Sequence, residues 1–487
     1  MNNTQDHVPD GAKPEMTLEM PAMAQLQMTC HCGNVKHDLT GAADAGDIAL
    51  CHCYGCRHST GQLYASYYKL KQKSALPLLS SPATSRYDSA EPQQGTTHPA
   101  AVSLYFCPTC GCHVFRTIAG PEGTSIEVAT GTLTDGNELS AAKFASHVGV
   151  DETRDGGLTK WLGELPIKND VEGNAKHYSA EPAPRGPESR ETLEASCLCG
   201  GVALRITRPN ASSLKPHSGF ADMIIPFHTG DPAIKNPEDV KWWLRENGTK
   251  YMAGLCACQT CRLVSGFELQ SWAFVPRTSI EYRADTDGNG VVWKVLDFEG
   301  LRATGTLRGY ESSPGVMREF CGGCGATVFW HDRWRPELID VSVGLLQDSE
   351  GGVRAEGWLS WWMDRVSFAE DVVLGRDGVP LDRARWLVES VEKNMRAEGG
   401  GREQRNLKLC KTVLKPGSGI IVIKENLSTT DVDVFDDEDS SLVSPDATFR
   451  RIFEEAGLSL VRTDLQRGFP EVPPVTLLPV RMYALKP

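Results

Sequence analysis

The chain has 487 residues, which exceeds what one hydrophobic core usually supports, so several domains are expected. Hydrophobic residues make up 40% and charged residues 23%, as in ordinary globular proteins and unlike collagenous or wholly disordered chains. The formal net charge of -13, without any run rich in Lys and Arg, makes the surface repel phosphate backbones, so nucleic acid is not an expected partner.

Residues 1–24 are polar and acidic, and they lack both the apolar core of a signal peptide and the Arg-rich pattern of a transit peptide. The longest apolar stretches, such as 420–423, are far shorter than the roughly eighteen residues of a membrane-spanning helix. We therefore expect a disordered N-terminus, no membrane partner and a cytoplasmic location. In such a reducing compartment, 16 cysteines are better explained by metal binding or catalysis than by disulfides.

The cysteines follow one ordered set of three motifs that occurs twice. The motifs are Cys-x-Cys-Gly, then Cys-x-Cys-x-x-Cys-Arg, then Phe-Cys-x-x-Cys-Gly. The first copy contains Cys30, Cys32, Cys51, Cys53, Cys56, Cys107 and Cys110. The second copy contains Cys197, Cys199, Cys256, Cys258, Cys261, Cys321 and Cys324. Chance would not repeat one ordered set, so metal binding is predicted rather than isolated buried cysteines.

Zinc prefers four ligands in a tetrahedron, and two cysteines separated by one or two residues can present both sulfurs from one tight turn. The first and third motifs of each copy then form a closed, structural site. The two predicted closed sites are Cys30, Cys32, Cys107, Cys110 and Cys197, Cys199, Cys321, Cys324. The glycine after each of these four pairs is expected to allow a positive φ at the turn.

The middle motif of each copy supplies three thiolates and leaves the fourth position of the metal to water or substrate, which is the catalytic pattern of zinc. The predicted catalytic sites are Cys51, Cys53, Cys56 and Cys256, Cys258, Cys261. In the alternative, all zinc is structural and a neighbouring side chain completes a triplet, with His58 and Cys112 as nearby candidates. Neither Cys112 nor Cys410, which lie outside the repeat, is assigned a role.

Both copies resemble the family of glutathione-dependent formaldehyde-activating enzymes and centromere protein V, over about 25–165 and 193–372. Further agreement comes from the Ser-Thr-Gly and Val-Ser-Gly strings after the triplets and from aromatic-rich strands at 64–68 and 271–275. The resemblance implies a small β-rich fold in which sheets carry the zinc sites, with one structural and one open zinc per domain. Alternating strands at 125–129, 202–206 and 339–343 agree with it.

The resemblance also implies an activity, a carbon-sulfur lyase reaction that joins formaldehyde and glutathione into S-hydroxymethylglutathione or reverses that step. Zinc held by three thiolates can accept a soft fourth sulfur, and coordination lowers the pKa of a bound thiol. Glutathione is therefore the expected co-substrate. Arg57 and Arg262 follow the triplets and are candidates to pair with a glutathione carboxylate; alternatively, they are solvated surface charges.

The second copy departs from the first in the length between its first two motifs. It has 56 residues between Cys199 and Cys256, against 18 between Cys32 and Cys51. This insertion is expected to reshape or cover the second site. Its His217 is left without a role, as is His228, because isolated histidines usually make ordinary hydrogen bonds.

After the second copy, residues 381–396 form a predicted helix, and the pattern then changes to α/β. A buried strand is predicted at 419–423, a helix at 447–456, a strand at 480–485 and a further helix at 407–414. Residues 404–487 resemble the C-terminal part of the alpha-N-terminal protein methyltransferases, through strings such as Ile-Val-Ile-Lys-Glu-Asn at 421–426. That resemblance implies that Asn426, Asp436 and Asp439 would receive a substrate amine.

The predicted architecture is mainly β, with two tandem β-sheet zinc domains followed by a partial α/β, methyltransferase-like segment. The predicted divisions are 1–24, 25–166, 167–192 as a linker, 193–375, 376–403 as helix and linker, and 404–487. Three functions are considered: a zinc carbon-sulfur lyase acting on a small thiol-aldehyde adduct, a noncatalytic zinc scaffold, and an N-terminal protein methyltransferase with appended zinc domains. The lyase is favoured, and the oligomeric state is left open.

Overall fold

The computed structural model describes the chain in separate stretches, and everything below concerns those residues. They are 25–40, 46–71, 78–89, 101–120, 123–135, 143–168, 191–285, 291–348, 352–398, 407, 410–411, 414, 419–429, 434–436, 441–466 and 479–487. The predicted N-terminal segment and most of the predicted linker therefore lie outside the described residues. The described elements are mainly strands, which confirms the expected mainly β architecture.

The first domain consists of two sheets with a short helix after its third strand. Its elements are β1 (Gln25–Thr29), β2 (Lys36–Thr40), β3 (Ile48–Cys51), α1 (Tyr54–Thr60), β4 (Ala65–Leu70), β5 (Ser85–Asp88), β6 (Val102–Phe106), β7 (His113–Gly120), β8 (Gly123–Ala129), β9 (Leu133–Asp135) and β10 (Phe144–Val148). One sheet has the order β2-β1-β9 and the other β10-β3-β4-β8-β7-β6-β5. The predicted strand at 125–129 is confirmed as the end of β8.

The second domain repeats this plan with a larger pair of sheets. Its elements are β11 (Thr192–Ser196), β12 (Ala203–Thr207), β13 (Leu244–Arg245), β14 (Lys250–Cys256), α2 (Gln259–Ser265), β15 (Gln270–Pro276), β16 (Ile280–Asp285), β17 (Val291–Val295), α3 (Phe298–Thr304), β18 (Leu307–Ser313), β19 (Val316–Cys321), β20 (Thr327–Asp332), β21 (Leu338–Ser342), β22 (Leu346–Gln347) and β23 (Leu359–Trp361). One sheet is β17-β16-β12-β11-β22; the other is β13-β14-β15-β21-β20-β19-β18, with β23 paired to β14.

Corresponding strands place the two cysteine triplets in the same setting. β3 pairs with antiparallel β4 and parallel β10, and β14 pairs with antiparallel β15 and parallel β23. β15 is buried along its whole length, since both of its faces pack against protein. Each triplet therefore begins at the end of an interior strand and continues into a short helix.

The two domains pack against each other like the subunits of a dimer. The backbone N–H of His31 donates to Leu263 O at 3.1 Å, and in the matching contact the N–H of Leu198 donates to His58 O at 2.9 Å. A side chain at Gly61 would clash with the second domain, because its Cβ would lie 2.2 Å from Thr327 O. One apolar core continues through both domains. Sequence analysis predicted two domains in tandem but not this shared core.

A long helix, α4 (Gly378–Glu398), confirms the helix predicted at 381–396 and contacts both domains. Its Trp386 ring packs 6.4 Å from that of Phe144, and its Glu398 accepts a hydrogen bond from the indole of Trp161 at 2.9 Å. On the second-domain side, its Glu392 accepts from Val366 N at 2.7 Å. The helix is therefore part of the packed tandem unit rather than a free connector.

The C-terminal segment has its own small core. Its elements are β24 (Ile421–Asn426), β25 (Val434–Asp436), β26 (Ser441–Val443), α5 (Asp446–Glu455), β27 (Ser459–Leu465) and β28 (Val480–Lys486). The predicted strand at 480–485 and helix at 447–456 are confirmed. The strand predicted as fully buried at 419–423 is wrong in that respect, because β24 buries one face only and Val422 is 67% exposed.

Two further predictions for this segment depend on residues that are only partly described. The predicted helix at 407–414 falls largely outside the described residues, as does Asp439. Asn426 ends β24 and pairs with Val480 in an antiparallel ladder, whereas the side chain of Asp436 is not described. The amine-binding role of these three residues stays a prediction.

Candidate metal centres

Four groups of cysteine sulfurs meet in the described structure, and they are the groups that the motif spacing predicts. In each group the Sγ atoms all lie within 4.8 Å of one another. The groups are Cys30, Cys32, Cys107, Cys110; Cys197, Cys199, Cys321, Cys324; Cys51, Cys53, Cys56; and Cys256, Cys258, Cys261. The chain therefore brings together two sets of four and two sets of three thiols, each able to hold a metal ion.

The four-sulfur groups have the dimensions of a zinc tetrahedron. Sγ atoms of Cys30 and Cys32 are 3.5 Å apart, and those of Cys199 and Cys321 are 3.4 Å apart. Zinc–sulfur bonds of about 2.3 Å place tetrahedral sulfurs about 3.8 Å from one another, so a small inward or outward adjustment accommodates the ion. The glycines after the pairs have φ of 72° to 82°, as Gly200 and Gly325 do at the two limits, which confirms the predicted turn geometry.

The protonation of these thiols also favours a bound cation. Hydrogen bonds from Cys110 and Cys30 lower the pKa of Cys107 to about 2, while hydrogen bonds to Cys107 and Cys30 raise the pKa of Cys110 above its ordinary range. Four sulfurs this close cannot all become anionic without a compensating charge. A divalent soft metal supplies that charge, so the donor set fits zinc.

The three-sulfur groups form where a strand turns into a helix. Cys53 caps the N-terminus of α1, and its Sγ accepts a hydrogen bond from Cys56 N at 3.4 Å. Cys258 caps α2 in the same way, accepting from Cys261 N at 3.2 Å. The backbone N–H groups of the first helical turn thus point at the capping sulfur in both domains.

The side chains proposed to complete a triplet do not join one. The Nδ1 of His58 lies 2.7 Å from Ser196 O, and its ring stacks on Tyr54 at 3.9 Å; burial lowers the pKa of His58 to about 3. The Sγ of Cys112 donates to His113 O at 3.4 Å. Neither residue belongs to the three-sulfur group of the first domain among the described residues.

The two histidines of the insertion also lie away from the metal groups, in agreement with their being left unassigned. The imidazole of His217 pairs with Asp239 and that of His228 with Glu370, both at exposed positions. They make the ordinary polar contacts expected of isolated histidines.

Arg57 and Arg262 are buried, so the alternative that they are solvated surface charges is wrong. Arg57 is 3% exposed, and its Nε donates to His52 O at 2.9 Å. Arg262 is 1% exposed; it donates to Gly131 O at 2.6 Å across the domain interface and to Leu374 O at 3.0 Å. These hydrogen bonds hold the backbone around each triplet in place. The predicted pairing with a glutathione carboxylate stays a prediction.

The second triplet faces a cavity of about 520 Å³, and Cys256, Cys258 and Cys261 all line it. Cys258 is half-buried. Nη1 of Arg318 donates to Cys261 Sγ at 3.2 Å. Hydrogen bonds from Cys256 and Cys258, followed by the charge of Arg318, hold the pKa of Cys261 well below its ordinary value. The second triplet thus combines a half-buried cysteine, a stabilised thiolate and room for a ligand.

The first triplet is more enclosed. Cys53 is 1% exposed, and the three cysteines share an apolar cluster with Tyr67 and with Phe267 of the second domain. Arg116 approaches Cys56 Sγ at 3.9 Å, and its guanidinium pairs with Glu127 at 2.7 Å. The second domain therefore covers the first triplet with an aromatic side chain.

Sequence reasoning missed the polar wall of the second cavity. Arg318 lies three residues before Cys321 on β19, and Arg335, which also lines the cavity, pairs with Asp340 at 2.8 Å. Burial raises the pKa of Asp340 to about 6. The available signal in the sequence was Arg318, an arginine three residues before a cysteine motif. The pairing of Arg335 with Asp340 depends on tertiary packing and had no such signal.

The fold and these sulfur groups define a tandem thiolate metal-binding protein built from two β-sheet domains. The family model of the glutathione-dependent formaldehyde-activating enzyme matches residues 25–148 and 240–363, about half of the chain. The chain belongs to this family. The second matched segment begins after Cys197 and Cys199, yet the structure places these cysteines with Cys321 and Cys324. The insertion thus separates the first cysteine motif of the second domain from the other two in sequence, but the first and third motifs still meet in space.

The C-terminal segment matches a second family model, that of the AdoMet-dependent proline di-methyltransferase, over residues 404–486. It is 40% identical over 80 residues to alpha N-terminal protein methyltransferase 1 of Caenorhabditis elegans, covering 16% of this chain and 32% of that protein. The Schizosaccharomyces pombe protein of the same name is 44% identical over 69 residues, covering 14% and 29%. The chain thus spans about a third of the length of these relatives.

Among solved structures, a SAM-dependent methyltransferase from Leishmania major is 38% identical to this chain, covers 17% of it and 31% of its own length, and has a TM-score of 0.15. No helix among the described residues is long and apolar enough to cross a membrane.

Proposed function

We propose that this protein is a zinc-dependent carbon-sulfur lyase that joins an aldehyde to the thiol of glutathione or separates the adduct, and that the second domain carries the active site. The observation that carries this proposal is the group Cys256, Cys258 and Cys261, which offers three sulfurs to a metal and opens onto a cavity. Family membership supports the same reaction class. The many reduced thiols suit a cytoplasmic location.

Zinc bound by these three thiolates would accept the sulfur of glutathione as its fourth ligand and lower the pKa of that thiol. The chain itself supplies the surroundings. Arg318 donates to Cys261 and faces the cavity, so its charge offsets that of the thiolates. Arg335 is neutralised by Asp340, and aromatic rings such as Trp272 exclude water from the remaining wall.

The reaction needs no oxidant or reductant. In the direction of adduct cleavage, the hydroxyl group gives its proton to solvent water, the carbon–oxygen double bond forms and the carbon–sulfur bond breaks. The sulfur keeps the electron pair, and the released thiol recovers a proton from solvent. In this proposal the guanidinium of Arg318, which lines the cavity, stabilises the oxygen as it becomes anionic.

The test is exchange NMR of S-hydroxymethylglutathione with the full, zinc-loaded chain. The proposal expects formation and cleavage to be faster than the spontaneous rates. A fully metal-loaded protein that leaves both rates unchanged would instead support the noncatalytic zinc scaffold.

Replacing Arg318 by methionine should slow this turnover by about tenfold to a hundredfold, because a hydrogen bond to a charged group contributes about 1.5–3 kcal/mol. Arg116→Met is the matched control, since Arg116 has the similar contact with Cys56 in the first domain. Both variants should keep their zinc, measured by elemental analysis. Equal loss of turnover in the two variants would contradict the assignment of the active site to the second domain.

A further inference from the structure

We propose that the second site prefers adducts whose aldehyde carries an aromatic or other large apolar group over the adduct of formaldehyde. This inference rests on the proposed lyase function and specifies its substrate class. It follows from the walls of the cavity beside Cys256, Cys258 and Cys261 rather than from the sulfur groups.

The insertion of the second domain builds one wall of the cavity. Trp242 is 2% exposed, and its indole N–H donates to Gly219 O at 2.8 Å, which fixes the ring. The Trp242 ring lies 4.9 Å from that of Phe274 in an edge-to-face contact. Met223 and the triplet cysteines Cys256 and Cys261 belong to the same apolar cluster. The extra residues therefore place a rigid aromatic surface beside the metal group.

The sheet face beside this wall is also aromatic and reaches the surface, because Trp330 pairs in register with Asp340, which pairs in turn with Phe274. Trp330 and Trp334 line the cavity, and the guanidinium of Arg335 stacks over the Trp330 ring at 4.4 Å. Trp334 is 62% exposed, so it lies at the rim. Aromatic side chains therefore line the cavity from its interior to its rim.

The volume of the cavity is much larger than a one-carbon group requires. It is about 520 Å³, within the range of pockets that enclose small-molecule ligands. A hydroxymethyl group is little larger than a water molecule, which occupies about 30 Å³ in the liquid. The glutathione part is the same in every adduct, so adducts differ in whether the aldehyde's own group reaches the aromatic residues, and a hydroxymethyl group is too small to contact most of them.

Most charged groups of the wall are bound to one another or to the protein. Arg335 pairs with Asp340 at 2.8 Å, and Arg318 donates to Cys261 at 3.2 Å. Asp222 accepts from the backbone N–H of Phe368 at 2.7 Å. Because most of these groups already have partners, we expect the aldehyde's side group to bind through apolar contact with the rings rather than through new ion pairs.

The experiment compares the glutathione adducts of formaldehyde and phenylacetaldehyde on the full, zinc-loaded chain by exchange NMR. We expect kcat/KM to be at least tenfold higher for the phenylacetaldehyde adduct. Trp242→Ala should remove this preference, and Trp334→Ala, at an exposed position where the fold tolerates change, should reduce it by severalfold. Trp358→Ala is the matched control, because Trp358 is 4% exposed but lies outside this cavity.

The inference is overturned if the wild type accelerates the formaldehyde adduct at least as well as the phenylacetaldehyde adduct, and the proposed function then stands. It is also overturned if the cavity variants lower both rates to the same degree. Failure to accelerate either adduct would instead remove the proposed function and the inference with it.

Discussion

Cys258→Ala is expected to abolish turnover above the spontaneous rate, whereas Cys53→Ala is expected to retain most of it. The two cysteines occupy corresponding positions, each capping the short helix that follows its strand. They differ in surroundings. Cys258 lines the cavity, while Cys53 is 1% exposed in a cluster with Phe267. Within the described part of the chain, the second triplet combines metal ligands with space for substrate.

The measurement is exchange NMR of the glutathione adduct together with zinc analysis of both variants. Each variant removes one thiolate from one group, so each serves as the matched control of the other for loss of a ligand. The expected difference in turnover is a factor of a thousand or more, since catalysis cannot proceed without a bound nucleophile. Full activity in both variants would show that the triplets do not catalyse the reaction. Loss of turnover in Cys53→Ala alone would show that the active site lies in the first domain.

Replacing Cys324 by serine is expected to unfold the second domain. Cys324 is fully buried and shares its sulfur group with Cys197 and Cys199, so the group ties the turn after β11 to the turn between β19 and β20. Apparent binding free energies of structural zinc are about 10–16 kcal/mol in small zinc peptides. Such values equal or exceed the stability of most domains, about 5–15 kcal/mol.

Thermal unfolding followed by circular dichroism, with elemental analysis, tests this prediction. Cys112→Ala is the control, because Cys112 is equally buried but lies outside the sulfur groups. The control should retain wild-type zinc content and lose only about 1–2 kcal/mol of stability, as small core truncations do. A Cys324→Ser protein with wild-type stability would contradict a structural role for the four-sulfur group.

The damage should extend to the first domain. The turn at Gly325 packs against Phe106, since a Cβ on Gly325 would lie 2.7 Å from the Phe106 ring. The apolar core that the two domains share also makes the stability of the first domain depend on the second. We therefore expect one cooperative transition for the tandem unit rather than two.

The sulfur groups were predictable from sequence because their geometry is largely local. A Cys-x-Cys or Cys-x-x-Cys turn fixes two sulfurs on its own, and the following glycine, such as Gly33, signals the turn. Because the three motifs occur in the same order in both copies, the repeat predicts that the first and third motifs meet, even across the long insertion. The same reasoning predicted β12 and β21, whose patterns of apolar residues are read along one strand.

The cavity and the domain interface were not predictable in this way. Trp242, Arg318 and Trp330 meet beside the triplet from separate elements, and single-sequence patterns do not specify which strands approach one another. The burial of Arg262 likewise depends on Gly131 of the other domain. Those contacts place a cavity beside the second triplet and Phe267 beside the first, so the proposed functional difference between the two motifs arises from packing.

Cadmium NMR of the fully substituted protein, with and without glutathione, tests the central claim most directly. Four sulfur groups predict four resonances, two from four-sulfur sites and two from three-sulfur sites. Glutathione should move the resonance of the second triplet toward the four-sulfur pair, because a fourth sulfur enters its coordination shell. Four resonances that glutathione leaves in place would contradict this account, as would a chain that folds normally without any bound metal.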